Sequence, residues 1–390
     1  MNDEGRINSY SKRNMNKIKV CHFTSVHPLD DIRIFHKECI SLANNGYEVT
    51  IIACGEKGYE EIKNGEKCIS LYIPVKNRLQ RFLKRSKAIF RKAIEIDADI
   101  YHFHDPELLL IGLKLKHKGK KVIFDSHEDV PNDIKNKRYL NPLFRYIFYF
   151  LYLTLEPLVI RQFDAVISVT PHIINKLKKY NTNTVQITNY PITNAEDDIT
   201  QSKISKFSIP TIFFAGGINS LWMHENIIKS LEKIDLNLKY LIAGYSSNEY
   251  LNKLKQLNGW HKVEYLGVIS YSQVEYFYLR SHIGIALPNY TKAGGGKIGT
   301  IGNTKIFEIM KAGLPIICTD FILWEKIIDE NKCGICVNPN NIDAISKAII
   351  KLITNQQESQ IMGNNGKKAV LNRYNWKSQE KVLINLYKNI

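Results

Sequence analysis

The feature that most constrains the fold is a repeated alternation of short apolar runs with segments of helical periodicity. The runs are rich in β-branched residues and have the length of buried strands. This order is typical of a parallel sheet covered by helices on both faces. In the first half we predict strands at Ile18–Thr24, Glu48–Cys54, Ile100–His104, Val122–Ser126, Ala165–Thr170 and Val185–Thr188, and helices at Asp31–Asn44, Glu107–Leu115 and about Asn141–Ile160.

The alternation is interrupted between Asn189 and Phe207, a segment rich in Ser, Thr, Asn and acidic residues that we interpret as a linker. A second series then predicts strands at Thr211–Ala215, Tyr240–Ala243, Val263–Leu266, Ile283–Leu287, Pro315–Thr319 and Gly334–Val337. The sequence therefore predicts an α/β protein with two Rossmann-like, doubly wound domains facing across a cleft. The predicted organisation is a disordered lead-in 1–16, a first Rossmann-like domain 17–190, a linker 191–208, a second Rossmann-like domain 209–374 and a C-terminal helix 375–390.

Composition bounds the partners and the compartment. The net charge of +16 implies an anionic partner: nucleic acid, a membrane surface or a phosphate-bearing substrate. Seven scattered cysteines argue against a disulfide framework and for a reducing compartment. The polar N-terminus has no signal-peptide pattern. The longest uncharged apolar run, Tyr146–Leu155, is shorter than the about 20 residues of a spanning helix. We expect a cytoplasmic chain with no transmembrane segment.

A basic stretch points to one possible anionic surface. Lys76–Lys92 contains eight basic residues and no acid, with apolar residues at helical spacing. Such an amphipathic helix suits the inner face of the plasma membrane, and an ordinary surface helix fits equally well. The aromatic stretch Tyr139–Tyr152 is compatible with core or with an interfacial patch. Nucleic acid is not expected, because the basic residues lack interleaved aromatic residues.

Candidate donor-binding residues follow the strands of the second half. In NTKIFEIMKAGLP, Asn303 or Thr304 can cap a helix whose first turn carries Lys305, where a cation is unfavourable unless an anion is bound. Glu308, one turn later, can accept hydrogen bonds from ribose hydroxyls. Solvated roles for both side chains stay open. Three further candidates, in the turn after TIFFA, let backbone approach a ligand: Gly216, Gly217 and Asn219. Lys297 lies in the glycine-rich segment Tyr290–Gly302, which fits either an anion-binding loop or a mobile surface loop.

Candidate acceptor-side residues follow the strands of the first half. His104 and Asp105 end one predicted strand, and His127 and Glu128 follow the next. Ligands bind at the carboxyl ends of such strands, although a lone strand-end histidine is often structural. Arg33 completes this set. No ligand set with metal-binding spacing accompanies the histidines, so we expect no metal.

These residues carry a resemblance to family 4 glycosyltransferases, which have the GT-B fold and retain anomeric configuration. The segments HFTSVHPLDDIRIFHKECISLANNGYEVTII, HFHDPELLL, FDSHEDVP and ITNYP are similar to a bacterial subgroup acting on surface polysaccharides. KIFEIMKAGLPIICTD resembles the family's donor-site block. The resemblance covers about Lys17 to Asn389.

The resemblance implies a role for each matched residue. It implies that Glu308 holds the donor ribose, that the helix start near Lys305 meets the diphosphate and that His127 lies in the sugar pocket. It also implies that the last helix crosses back onto the first domain. The family's paired glutamates lie eight residues apart, but Thr300 stands eight before Glu308. Trp222 and Met223 stand near the position of the family's basic pair.

The sequence thus predicts a retaining, metal-independent hexosyltransferase that uses a nucleotide-diphosphate sugar. A glycan or lipid-linked acceptor at the inner membrane face would explain the basic helix. Two alternatives stay open. An epimerase of the same architecture would turn over donor without acceptor. A non-catalytic binding subunit would tolerate the two departures, and loss of activity in Glu308→Ala would argue against it.

Overall fold

The computed structural model describes residues 17–77, 80–126, 130–136, 141–193, 204–292 and 294–390. The predicted lead-in 1–16 lies outside them. The chain forms two compact units, 1–124 and 125–390, and the strand Lys121–Ser126 runs across that boundary. Both units are of the α/β type. The limits of the domains that we infer from the sequence stay a prediction.

The first sheet has eight strands in the order β3-β4-β2-β1-β5-β6-β7-β8. β3 is antiparallel to β4, whereas β1, β2, β4, β5 and β6 pair in parallel, as do β7 and β8. Nearly every residue of β1, β2 and β5 is buried, as expected for strands covered on both faces. The strands are β1 Lys19–Phe23, β2 Glu48–Gly55, β3 Tyr59–Lys63, β4 Glu66–Tyr72, β5 Ile100–Phe103, β6 Lys121–Ser126, β7 Ala165–Ser168 and β8 Thr184–Gln186.

Helices connect these strands. A π-helical turn, Ile34–Cys39, leads into α1, and a second one, Arg81–Arg85, leads into α2. Asn141 caps α5 by accepting a hydrogen bond from the Leu143 N–H at 2.9 Å, and Pro142 occupies the first helical position. The helices are α1 Ile40–Asn44, α2 Ser86–Ile96, α3 Leu109–His117, α4 Val130–Asn136, α5 Pro142–Ile160 and α6 Pro171–Leu177.

The second sheet has six strands in the order β11-β10-β9-β12-β13-β14, all parallel. The strands are β9 Thr211–Ala215, β10 Lys239–Ala243, β11 Val263–Tyr265, β12 Ile283–Ala286, β13 Ile316–Thr319 and β14 Gly334–Val337. Its helices are α7 His224–Glu232, α8 Asn248–Lys255, α9 Tyr271–Arg280, α10 Lys305–Lys311, α11 Ile322–Asn331, α12 Ile342–Thr354, α13 Gln356–Asn372 and α14 Trp376–Lys388. The strand order reverses between β9 and β12, which is where doubly wound sheets bind ligands.

The predicted fold class is confirmed as two α/β parts built on parallel sheets, and the structure adds details that periodicity did not give. The hairpin β3–β4 is missing from the predicted elements, because most of β3 is exposed and its charged residues hide the strand pattern. The predicted helix Asp31–Asn44 begins instead at Ile34, since Asp31 accepts hydrogen bonds from the N–H groups of Arg33 and Ile34.

The last helix, α14, contacts the segment that follows β8. The Trp376 N–H donates to the Pro191 carbonyl at 2.8 Å, and the Thr188 N–H donates to Gln379 Oε1 at 2.8 Å. Tyr190 packs on Phe307 and Tyr374 with ring centroids 4.7 and 5.5 Å apart. The C-terminal helix is thereby held against the chain that joins the two sheets.

One described helix is long and apolar enough to cross a membrane by length and composition. Only 17% of the most apolar stretch of this helix, α5, is buried. The uncharged apolar run counted in the sequence, Tyr146–Leu155, has only ten residues, because Arg145 and Glu156 flank it. The helix itself has 19 residues. Glu156 is buried and forms an ion pair with Lys176 at 2.7 Å, so the carboxyl end of α5 packs against the protein.

Candidate active site

The ammonium group of Lys305 lies in an aromatic pocket beyond the end of β9. Its Nζ atom is 4.9 Å from the centroid of Trp222 and 5.4 Å from that of Phe214, which is cation–π distance. Burial lowers the pKa of Lys305 below its ordinary value, and the charge of Glu308 opposes that shift. Desolvating a cation costs free energy unless an anion approaches it. This pocket is therefore suited to an anionic ligand.

The turn Gly216–Gly217 makes room for that lysine. Gly216 has φ +151°, and a Cβ there would lie 2.5 Å from Lys305 Nζ. A Cβ at Gly217 would meet nothing closer than Asn219 Nδ2, at 3.4 Å. Asn219 caps the short helical turn that carries Trp222, accepting from the Leu221 N–H at 3.0 Å. The structure thus brings together three predicted donor-site residues: Gly216, Asn219 and Lys305.

Glu308 follows Lys305 by one helical turn on α10. Its Oε1 atom accepts a hydrogen bond from Thr304 Oγ1 at 3.2 Å. The carboxylate is partly exposed and lines a small pocket together with Tyr278 and Lys311. Ile306, Phe307, Ile309 and Met310 are fully buried and fix the orientation of α10. Lys305 and Glu308 therefore project from one rigid helix whose other face is core.

The glycine-rich segment is tied to the start of α11. The Ile322 N–H donates to the Lys297 carbonyl at 3.0 Å, and the Leu323 N–H donates to the Ile298 carbonyl at 3.1 Å. The Lys297 ammonium forms an ion pair with Asp320, to which Tyr290 Oη also donates. Burial raises the pKa of Asp320, but these two donors outweigh it and leave the pKa below its ordinary value. Lys297 therefore meets a carboxylate of its own domain.

The two departures from the family pattern have local explanations. Thr300 Oγ1 accepts from the Gly302 N–H at 3.0 Å, and the Thr300 carbonyl accepts from Trp324 Nε1 at 2.8 Å. Thr300 thus shapes the loop before α10. Trp222, near the expected basic pair, is buried beneath the Lys305 ammonium. Lys305 of α10 therefore places a cation over Trp222.

In the first unit, Asp105 organises the carboxyl ends of β1 and β5. Its Oδ2 atom accepts from Thr24 Oγ1 at 2.7 Å and from the Ser25 N–H at 2.6 Å. Ser25 Oγ donates to Glu107 Oε1 at 2.5 Å. Asp105 is buried, so it positions the loop after β1.

Sequence reasoning missed several polar residues beside Asp105. His27 is one-third exposed, with Nε2 3.7 Å from Asp105 Oδ1 and Nδ1 3.4 Å from Asp31 Oδ2. Burial raises the pKa of Asp31, but hydrogen bonds from His27 and two backbone N–H groups leave it well below its ordinary value. His27 follows β1 in TSVHP, and its position after a strand end was the available signal.

Two residues of the predicted basic helix also belong to this polar cluster. Arg81 Nη2 donates to Glu107 Oε2 at 3.0 Å, and Arg85 Nη1 donates to the Ser25 carbonyl at 2.7 Å. Part of the basic stretch therefore organises its own domain, as the surface-helix interpretation predicts.

The other acceptor-side candidates have different settings. His104 and Arg33 are both buried, and Arg33 Nε lies 3.2 Å from Glu38 Oε1. His104 Nε2 in turn lies 3.9 Å from Glu38 Oε2, so both side chains approach the same buried carboxylate. His127 and Glu128 lie outside the described residues. The strand that precedes them, β6, ends at the buried residues Asp125 and Ser126.

The sequence matches two family models, one in each part of the chain. Residues 34–189 match Glycosyltransferase Family 4, and residues 198–369 match Glycosyl transferases group 1. Together with the fold, these matches identify the chain as a glycosyltransferase of the GT-B type. Within that class, it falls among the family 4 enzymes.

Two uncharacterized glycosyltransferases of Methanocaldococcus jannaschii are similar in sequence. One is 28% identical over 45% of this chain and 44% of its own length. The other is 25% identical over 75% of this chain and 76% of its own length. In the first of them, the chain spans less than half of the relative.

Several solved structures share the fold. Sucrose-phosphate synthase from Thermosynechococcus elongatus has a TM-score of 0.74 at 15% identity, covering 95% of this chain and 98% of its own. A trehalose-6-phosphate protein from E. coli, bound with UDP-2-fluoro glucose, has a TM-score of 0.72 at 13% identity, covering 95% and 99%. Anabaena HepE in complex with UDP-glucose has a TM-score of 0.67 at 12% identity, covering 96% and 100%.

Proposed function

We propose that this chain is a retaining hexosyltransferase that moves a sugar from a UDP- or GDP-sugar to a glycan or lipid-linked acceptor in bacterial surface-polysaccharide synthesis. The observation that carries the donor proposal is the half-buried ammonium of Lys305, one helical turn from Glu308 and over the Gly216 turn. A diphosphate would supply an anion that stabilises this partly desolvated ammonium. Structural neighbours in complex with UDP-sugars support the same ligand class.

In this proposal, the residues of α10 divide the donor between them. Lys305 contacts the diphosphate, and the Gly216–Gly217 turn lies beside its ammonium. The Gly216 N–H donates to the Ala243 carbonyl at 2.8 Å, so Lys305 supplies the positive charge. Glu308 accepts hydrogen bonds from the ribose hydroxyls, and Thr304 Oγ1 holds its carboxylate in place. Lys297 is held by Asp320, so binding phosphate through Lys297 would require that ion pair to open.

For the transfer step, we propose the chemistry that the resemblance implies. The acceptor hydroxyl attacks the anomeric carbon on the face from which the diphosphate leaves, and the departing phosphate oxygen takes the acceptor proton. The new C–O bond replaces the old one with retained configuration. No metal or cofactor takes part. His127 would contact the sugar, and the acceptor would meet Glu128 and the loop after β1 that Asp105 positions. His104 and Arg33, which the sequence assigns to the acceptor, are buried against Glu38 and take no part in this contact.

We also propose peripheral contact with an anionic membrane on the cytoplasmic side. Nine large apolar residues of α5 are more than one-third exposed, an area that monomeric soluble proteins rarely leave open. The chain also carries a net charge of +16, which attracts anionic lipids. The nine residues are Leu143, Phe144, Tyr146, Ile147, Phe148, Phe150, Leu151, Leu155 and Leu158.

The direct test is a donor-turnover assay followed by proton NMR of the sugar product. We expect retained anomeric configuration, weaker donor binding in Glu308→Ala, and lower turnover with near-normal binding in His127→Ala. Both variants matching wild type would contradict the site assignment. Conversion of the donor without any acceptor present, and without hydrolysis, would favour the epimerase. Donor binding without turnover in any form would favour the binding subunit.

A further inference from the structure

Four buried side chains of the first unit converge on one point: His22, Glu38, His102 and His104, none of which is more than 2% exposed. His22 of β1 and His102 of β5 are directly opposite in the parallel register, so they point to the same face of the sheet. His104 follows His102 by two residues. Glu38 comes from the π-helical turn Ile34–Cys39. Three separate elements thus deliver four potential metal ligands to one place.

The distances within this cluster are close to those of a coordination shell. Oε2 of Glu38 lies 4.0 Å from His22 Nδ1, 3.9 Å from His102 Nδ1 and 3.9 Å from His104 Nε2. The His22 Nδ1 and His104 Nε2 atoms are 3.1 Å apart. All four ligand atoms lie within 4.8 Å of one another. Ligands about 2.1 Å from a tetrahedral zinc ion are about 3.4 Å apart. On metal binding, the three Glu38 distances would contract by about 0.5 Å, and the widest separation, of up to 4.8 Å, by up to about 1.4 Å.

One contact of the cluster, His22 Nδ1 to His104 Nε2 at 3.1 Å, is within hydrogen-bond distance. The three carboxylate–imidazole distances exceed the 2.7–3.2 Å range of N–H···O bonds by about 0.7 Å. Glu38 Oε2 is thus nearly equidistant from the three imidazole nitrogens. The imidazole rings lie 4.4–5.4 Å apart by centroid, so three heterocycles share a fully desolvated volume with a carboxylate. A charged group in such a desolvated volume costs free energy unless an opposite charge compensates it.

We propose that His22, Glu38, His102 and His104 bind a divalent transition-metal ion, with zinc as the natural candidate. Neutral imidazole nitrogens and a carboxylate oxygen are ligands that Zn²⁺ prefers. Four protein ligands with no solvent access define a closed, structural site. The metal would fasten the turn Ile34–Cys39 to β1 and β5. It takes no part in sugar transfer, so this site is compatible with a metal-independent reaction.

A buried arginine beside Glu38 supports the carboxylate as a ligand. Arg33 Nε lies 3.2 Å from Glu38 Oε1, the oxygen that does not face the histidines, and both side chains are buried. Outer contacts of this kind orient ligating carboxylates and are part of most metal sites. Arg33, which the sequence assigned to the acceptor, would then be a positioning residue for Glu38.

The test uses the full chain expressed in zinc-supplemented medium and desalted into chelator-free buffer. Mass-spectrometric metal analysis should find about one zinc per chain, and cobalt substitution should give the visible absorption of a tetrahedral site. Glu38→Gln and His102→Asn should each bind zinc at least about tenfold more weakly. His261→Asn, at an exposed histidine of the second unit, is the matched control and should retain the metal.

A second measurement covers variants that do not fold. Wild-type protein stripped with 1,10-phenanthroline and then reloaded with Zn²⁺ should regain a higher thermal midpoint, since a ligand bound to the native state stabilises it. The proposal is overturned when folded wild type, incubated with Zn²⁺ and desalted, retains no metal and shows an unchanged midpoint. Equal zinc content in wild type and folded His102→Asn would overturn it too. Donor binding is measured separately, so neither result depends on the proposed transferase activity.

Discussion

At the scale of single residues, Lys305 is the group on which donor recognition depends. Its ammonium is half-buried against Trp222, and burial lowers its pKa. A hydrogen bond to a charged partner contributes about 1.5–3 kcal/mol. We therefore expect Lys305→Ala to weaken UDP- or GDP-sugar binding about 10- to 100-fold by calorimetry. Lys326→Ala, on the exposed face of α11, is the control and should bind as wild type. Equal affinities in all three proteins would contradict the role of Lys305.

The lowered pKa of Lys305 gives a pH dependence with a definite sign. Because its pKa is lowered, the ammonium loses its proton at a lower pH than an ordinary lysine, so donor affinity should fall at a lower alkaline pH than it would with an unperturbed lysine. Lys305→Arg should remove that alkaline fall, because a guanidinium stays charged. Affinity measured from pH 7 to 10 in both proteins is the test, and parallel profiles would be inconsistent with this explanation.

Gly216 and Gly217 form a matched pair of test positions. Alanine at Gly216 would place a Cβ 2.5 Å from Lys305 Nζ at φ +151°, where L-residues are strained. Alanine at Gly217 meets only Asn219 Nδ2, at 3.4 Å. We expect Gly216→Ala to displace Lys305 and weaken donor binding at least about tenfold, because backbone strain and lost contact each cost about 1–3 kcal/mol. Gly217→Ala should change affinity little. The reverse order would show that the lysine does not pass over Gly216.

At the scale of elements, α5 carries the proposed membrane contact. Ile147→Asp and Phe150→Asp place charges on its exposed apolar face, where burial in lipid would be costly. We expect each to reduce sedimentation with anionic vesicles several-fold. Ile361→Asp, equally exposed on α13, is the control. Vesicle binding unaffected by the α5 changes, or abolished by Ile361→Asp as well, would argue against α5 as the docking element.

The elements also show what the sequence could and could not predict. Strands buried on both faces, such as β1, β5 and β9, have continuous apolar sequences and were predicted within one or two residues. The exposed strand β3 was missed, because its alternation is masked by charges. At the candidate site, Lys305 and Glu308 were predicted from one helix start, and their roles stay a prediction. The Glu38 cluster was not predicted, because its ligands come from three elements and meet only through the parallel register of β1 and β5.

At the scale of the whole molecule, a buried histidine links acid stability to the donor half. Burial, with a smaller contribution from the Lys305 charge, lowers the pKa of His224 to about 3. Between pH 3 and 6.5 the unfolded chain binds the proton that the native state excludes, so stability falls as pH falls, by up to about 1.4 kcal/mol per pH unit. In His224→Gln, the thermal midpoint should decrease less than in wild type between pH 7 and 5. An identical decrease would show that His224 is not excluded from protonation.

The proposed function of the whole molecule depends on nucleotide-sugar binding at α10 of a GT-B enzyme. The most direct measurement is a thermal-shift screen of wild type and Glu308→Ala against UDP, GDP and their common sugars. We predict that either the uridine or the guanosine nucleotides raise the thermal midpoint of the wild type. A ligand present at 100 times its Kd stabilises the native state by about 2.7 kcal/mol. Glu308→Ala should lose most of this shift in the midpoint. No shift with any nucleotide, or the same shift in both proteins, would contradict the account.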